Sequence, residues 1–275
     1  EVKRAIEAAF RAHYRETGGA LANAAMAKEA DRRQAAFFLT RLEYENLMRA
    51  VELALDAQEP ITGAYQALDE YWDRTQEHRR AIEAGMQIAA RLEHYPERLL
   101  TGEAGFDRLR VLADIARRQL LTQQLDASAQ TYQRCLDLIE QLSANDERQR
   151  ARWRAVAYHN LGTIAQRQRQ WEQAERHFKQ ALQIDIEFND RYSQARTYHH
   201  LGMVAQEQRQ WEQAEAYYQQ ALQIYIEFND RYEQAGTYHQ LGTVAQEQRQ
   251  WEQAERHFKQ ALQIYIEFND RYSQA

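Results

Sequence analysis

The chain has 275 residues, 44% of them apolar, and 35 Lys and Arg against 41 Asp and Glu give a net charge of −6. That balance argues against nucleic acid as the main partner, because phosphate binding needs a concentrated basic face. A mean hydropathy of −0.84 and no long apolar run leave no expected membrane span, and the single Cys135 allows no internal disulfide, which fits a reducing cytoplasm.

Two prolines and ten glycines, beside abundant Ala, Leu, Gln, Glu and Arg, predict an almost wholly helical chain without sheet. The sequence opens at Glu1 with no initiator Met or signal-like segment and reads as an excised piece. Residues 1–59 read as an N-terminal helical segment, broken at Gly18-Gly19 and ended before Pro60. Residues 60–105 read as a divergent helical hairpin over about 62–94, with Tyr71 and Trp72 on its first helix and Ala81, Ile88 and Leu92 on its second. Pro96 and Gly102 mark its exit. Residues 106–155 read as a degenerate repeat in which Leu112, Ile115, Ala116, Ser128, Tyr132 and Cys135 keep register, with a longer connection at 143–148.

The remainder is one 40-residue unit written three times, at 156–195, 196–235 and 236–275; the first and third copies agree at 34 sites, the second and third at 32, the first and second at 28. A period without slippage makes each copy one structural unit stacked on its neighbours, and such stacks build extended surfaces suited to binding. In the middle copy Tyr198, Leu201, Gly202 and Ala205 lie on one stripe of a first helix. Ala214, Tyr218, Ala221, Leu222, Tyr225 and Phe228 continue at helical spacing through a second, after Gln-Arg-Gln at 208–210. Gly202 and Ala214, small residues inside helices, predict a close crossing. Asn229 is suited to a left-handed helix end and Asp230 to an N-cap, with Glu233 completing a capping box that Ser193 and Ser273 occupy in the other copies. Ala275 stops where a fourth first helix would begin, so the array is expected to continue, and an open last face is a place for self-association.

Tyr198, Leu201-Gly202, Ala205, Trp211, Ala214, Tyr218 and Ala221-Leu222, with equivalents in all three copies, resemble the tetratricopeptide pattern in their spacing. The period is 40 rather than the usual 34, and Ile226 stands where a helix-ending Pro is common, so the second helix should be longer, as in kinesin light chains. The resemblance implies an all-α, right-handed superhelical α-solenoid of helical hairpins behind an N-terminal helical region. It also implies a concave groove lined by first helices. The groove-facing set is then Val156, His159, Thr163 and Gln166, followed by Arg196, His199, Met203 and Gln206, and by Gly236, His239, Thr243 and Gln246. A protein or peptide ligand is the implied partner. Capture of a chaperone tail is not expected, because His159, Thr163 and Asn160 occupy the positions where that subset's clamp has Lys, Asn and a variable residue.

The stretch Leu42-Glu43-Tyr44-Glu45-Asn46-Leu47-Met48-Arg49-Ala50-Val51-Glu52-Leu53-Ala54-Leu55 is similar to the helical segment of bacterial signal-transduction ATPases with numerous domains, relatives of immune receptors in which a tetratricopeptide array follows as sensor. This resemblance implies a nucleotide-driven switch elsewhere in the parent protein. No Gly-x-x-x-x-Gly-Lys-Ser/Thr occurs here to cradle a phosphate.

Each chemical reading has a plainer counterpart. His159, His199 and His239 either form a ladder along the groove or are locally hydrogen-bonded residues copied by duplication. Equivalent residues of stacked hairpins lie too far apart to share a metal at ~2 Å, so no metal or other cofactor is expected. The series Trp171, Trp211 and Trp251 reads as inter-helix core, Glu172 and Glu175 as complements of a helix dipole, and Cys135 as a small packing residue. The expected function is that of a non-enzymatic, cytoplasmic binding module serving as the sensor end of a signalling ATPase. The alternatives are a scaffold or oligomerisation arm, and a regulator of an effector domain such as a protease.

Overall fold

The structure, a computed structural model, describes residues 1–143 and 147–267. Among these residues there are fourteen helices and no strand. The chain divides into two compact units, within Glu1–Asp146 and Glu147–Ala275.

The first unit contains α1 (Val2–Ala25), α2 (Ala30–Leu42), α3 (Tyr44–Ala57), α4 (Thr62–Thr75), α5 (His78–Glu93), the single turn α6 (Glu97–Leu100), α7 (Glu103–Leu121) and α8 (Leu125–Gln141). The break expected at Gly18-Gly19 is absent, because α1 runs through both glycines and ends at Ala25. Gly18 serves a close crossing instead, since a Cβ there would lie 2.5 Å from the carbonyl oxygen of Gly63 on α4. The absence of side chains, rather than backbone freedom, is what this site uses. The helices expected over 62–94 are present, but they do not pair chiefly with each other: α4 packs mainly on α1, and α5 on α7. The core here is built from Leu47, Tyr65, Leu68 and Trp72, all almost fully buried. Asp107 of α7 accepts hydrogen bonds from the Ile61 amide at 2.8 Å and from the Thr62 hydroxyl, satisfying the start of α4 after Pro60 from another helix. Arg118, 1% exposed, donates to Asp69 at 2.5 Å and Asp73 at 2.8 Å. Helices α7 and α8 do form a hairpin, tied by the Ser128 hydroxyl donating to Ala116 O at 2.7 Å.

The second unit stacks three hairpins: α9 (Glu147–Arg167) with α10 (Trp171–Glu187), α11 (Arg191–Glu207) with α12 (Trp211–Glu227), and α13 (Arg231–Glu247) with α14 (Trp251–Glu267). Of the expected connection at 143–148, residues 144–146 lie outside the described residues, and Glu147 and Arg148 already belong to α9. Each second helix runs past the position where a Pro is common, through Ile186, Ile226 and Ile266. The close crossing is at the first-helix glycine: a Cβ on Gly162, Gly202 or Gly242 would lie 2.6–2.7 Å from the ring of Phe178, Tyr218 or Phe258. Asn189 and Asn229 take left-handed backbone at φ 55 and 52, and Asp190 and Asp230 accept from the amides of Ser193 and Glu233 at 3.1 Å. The turn inside each hairpin also uses left-handed backbone, at Arg169, Arg209 and Arg249.

Stacking buries one face of α10 beneath α11 and one face of α12 beneath α13. Ala174 and Phe178 of α10 form a cluster with Leu201 and Val204 of α11, and Ala214 and Tyr218 of α12 one with Leu241 and Val244 of α13. On α14 the equivalents meet no following helix among the described residues, and Trp251 is 62% exposed.

Candidate functional site

First helices present their residues at one-repeat intervals, and the stack brings part of the expected groove set together. Thr163, Gln166, Met203 and Gln206 converge on a recess of about 480 Å3 that Trp171 and His200 also line. Val156, Arg196, Gly236, His239 and Thr243 lie outside that lining, and Gln246 borders a separate recess beside Trp251. Met203 and Trp171 supply apolar wall. Gln166 and Gln206 supply amides whose oxygens are already used: Gln166 Oε1 accepts from His200 Nδ1 at 3.1 Å, and Gln206 Oε1 accepts from the Tyr218 hydroxyl at 3.0 Å. The Nε2 donors of both enter no hydrogen bond among the described residues, so each holds two N–H groups for a ligand acceptor. Arg167 and Glu207 place one charge of each sign at the same recess.

His159 and His199 take their places in the seam between successive first helices. His159 Nδ1 shares a hydrogen bond with Thr197 Oγ1 at 3.2 Å, and His199 Nδ1 with Thr237 Oγ1 at 3.1 Å. Their rings stand edge-on to Phe178 and Tyr218. Burial, aided at His159 by Arg196, lowers their proton affinity, to a pKa of about 3 for His159 and about 4 for His199. His239, in the last repeat, is exposed. A third imidazole, His200, completes the cluster by stacking on Phe178 with centroids 5.1 Å apart and standing edge-on to His159 at 4.9 Å. Burial holds it well below the ordinary imidazole range, with neighbouring His159, His199, Arg196 and Arg167 acting the same way.

Repeat position alone passes over His200, Trp171 and Tyr218 as recess residues. A signal for His200 exists in the sequence: there are only two positions at which all three copies carry different residues, 156/196/236 with Val, Arg, Gly and 160/200/240 with Asn, His, Gln. The Trp series divides by place. Trp171 and Trp211 pack against the inter-repeat clusters while Trp171 also faces the recess.

Several groupings with the composition of reactive sites have structural settings. His159, Thr197 and Asp185 form a hydrogen-bonded chain, Thr197 Oγ1 donating to Asp185 Oδ2 at 3.4 Å, but Thr197 is 1% exposed and its hydroxyl meets no solvent. Cys135 is buried, and desolvation pushes its thiol up to about 12, the opposite of nucleophile activation. Glu175 pairs with Lys179 at 2.6 Å. Among the described residues no three His, Cys, Asp or Glu are placed to hold a metal ion, and no helix is long and apolar enough to cross a membrane.

Residues 153–227 and 193–267 match the tetratricopeptide repeat model. These are tetratricopeptide repeats. The match covers the stacked hairpins of the second unit, so the name belongs to that segment. No curated protein matches the sequence significantly. Solved structures share the fold. BtubC (BKLC) from P. vanneervenii is 20% identical with a TM-score of 0.63, over 88% of this chain and 94% of its own. RapI in its apo form is 17% identical with a TM-score of 0.64, over 74% and 69%. The Rap conjugation gene regulator of plasmid pLS20, solved in complex with a Phr peptide, is 15% identical with a TM-score of 0.56, over 84% and 58%. At these identities the likeness is one of fold.

Proposed function

We propose that the tetratricopeptide repeats bind an extended peptide, seated across the recess between the first and second repeats. The observation that carries this reading is the pairing of an apolar wall, Met203 and Trp171, with the unused Nε2 donors of Gln166 and Gln206. A peptide offers both counterparts, an apolar side chain for the wall and main-chain carbonyls for the amides. The Rap regulator, similar in fold, was solved with a peptide, which adds support of the same kind. Peptide-display selection against the chain, followed by fluorescence anisotropy of the selected peptides, tests the site. Met203→Asp and Trp171→Ala are each expected to weaken binding at least tenfold with the helical circular-dichroism signal retained; unchanged affinity in both rejects the assignment.

The finer reading places this binding in a signal-transduction ATPase, with the repeats as its ligand sensor. Its support is the resemblance of Leu42 to Leu55, which form the end of α2 and most of α3. Sequencing the flanks of the parent gene decides it: a Gly-x-x-x-x-Gly-Lys-Ser/Thr module upstream supports the reading, and a protease or another effector there replaces it. A second reading, self-association through α14, is favoured by exposed Trp251 and Leu262, whose counterparts on α10 and α12 are partly covered. Light scattering over a concentration series tests it, and a monomer throughout rejects it.

A further inference from the structure

A second recess, of about 300 Å3, lies in the first unit between the end of α1, α2 and α4, with Phe37, Thr40, Glu70 and Tyr71 in its lining. The rings of Phe37 and Tyr71 are stacked, with centroids 5.4 Å apart and planes within 15°. Arg74 lies over Phe37, its guanidinium carbon 4.7 Å from the ring centroid, while its Nη1 donates to Arg33 O at 3.2 Å. The wall thus already receives one cation from the chain itself, as the negative face of an aromatic ring favours.

The acid on this wall is left over from a neighbouring network. Asp69 and Asp73 are paired with Arg117 and Arg118, Asp73 at 2.6 and 2.8 Å. Glu70, next to them on α4 and half-buried, enters no hydrogen bond or ion pair among the described residues. Burial, with the Asp69 and Asp73 charges, raises its proton affinity, and Arg117 and Arg118 only partly offset this. With Asp73 taken up by Arg117 and Arg118, and Arg74 held over Phe37 and on Arg33 O, Glu70 is the charge left open: an incoming cation would relieve its cost, an anion beside it would add to that cost, and a purely apolar group would leave the carboxylate uncompensated.

We infer that this recess binds a small organic cation, a guanidinium or alkylammonium group, lying against the Phe37–Tyr71 rings with its charge toward the Glu70 carboxylate. The volume suits a ligand of a few heavy atoms or the end of one basic side chain. The site is independent of the peptide reading, because all its residues belong to the first unit.

Isothermal titration of the full chain with n-propylguanidinium, n-propylurea as its neutral counterpart, and butyrate tests this. Saturable binding of n-propylguanidinium is expected, at least tenfold tighter than n-propylurea, and weakened at least tenfold by Glu70→Gln and by Phe37→Leu. Equal binding of the urea, preference for butyrate, no saturation by the guanidinium, or unchanged affinity in folded Glu70→Gln each overturns the inference. Should either variant fail to fold, the guanidinium-to-urea ratio on the unaltered chain still decides it.

Discussion

Asp185 is the residue at which the first exact repeat departs most from its siblings. The second repeat carries Tyr225 there, 1% exposed, packed with Ala195, Ala221 and Ile224 and edge-on to Tyr192. Asp185 is also buried, with the Thr197 hydroxyl donating to it at 3.4 Å, and desolvation, then Asp190, pushes its pKa up to about 7. A folded pKa raised above the unfolded value of about 3.9 means that the stabilising contribution is complete below about pH 4 and is lost as pH rises through 7. Asp185→Tyr is therefore expected to stabilise the repeats by about 1–2 kcal/mol at pH 8 and by less at pH 5. Urea midpoints at the two pH values measure this, and no gain at pH 8 would show that the first repeat cannot seat the ring. Gly202 gives the converse case. A Cβ on Gly202 would lie 2.6–2.9 Å from the Tyr218 ring atoms, so Gly202→Leu is expected to cost about 2–3 kcal/mol. Loss of part of that penalty in a Tyr218→Ala background, in a double-mutant cycle, checks the contact.

Helix ends in the repeats are set by short polar signals, and there sequence and structure coincide closely. Asn229 is left-handed and Asp230 accepts from the Glu233 amide at 3.1 Å because both are dictated within four residues. Asp230→Ala is expected to destabilise by about 1 kcal/mol, more than most surface changes, because Asp230 also accepts from the Tyr192 hydroxyl of the preceding repeat at 2.7 Å. Hydrogen exchange localised to the start of α13 would register it, and unchanged protection there counts against the cap. Where partners are distant in sequence, local signals mislead. Gly18-Gly19 looks like a stop, yet the α1 and α4 backbones need small residues at their crossing. Nothing near residues 62–94 reveals that α4 packs chiefly on α1 and α5 on α7. The same distinction governs the recess. Thr163, Gln166, Met203 and Gln206, which line it, are among the positions that the tetratricopeptide resemblance implies, whereas Trp171 and Tyr218 reach it from second helices, by packing that periodicity does not encode.

Buried ionisable groups of opposite kind give the two units opposite expected responses to acid. In the second unit the chief proton-averse groups are His159, His199 and His200, faced by Arg196 and Arg167, with Asp185 reached across Thr197; burial lowers the less buried His177 and His257 in the same direction. Their folded pKa values lie below the unfolded value of about 6.5, so their contribution is complete above that pH and is lost as pH falls toward 4 and 3. Asp185 and Glu233 act in the other direction but are fewer. In the first unit burial raises Asp69, Asp107 and Asp114, the last to about 8. Their contributions are held at low pH and lost as pH rises through the folded values; Glu43, lowered by hydrogen bonds from Asn46 and Tyr14, and Glu59, lowered by Arg11, temper this slope. Between pH 7.5 and 5, opening free energies from hydrogen exchange, corrected for the intrinsic rate, should therefore fall for residues 147–267 and hold or rise for 1–143. His200→Gln, which installs the residue that the third repeat carries at Gln240, should lessen the fall in the second unit without affecting the first. Parallel destabilisation of both units, or a second-unit loss unaltered by His200→Gln, would show that the imidazole cluster does not set the acid response.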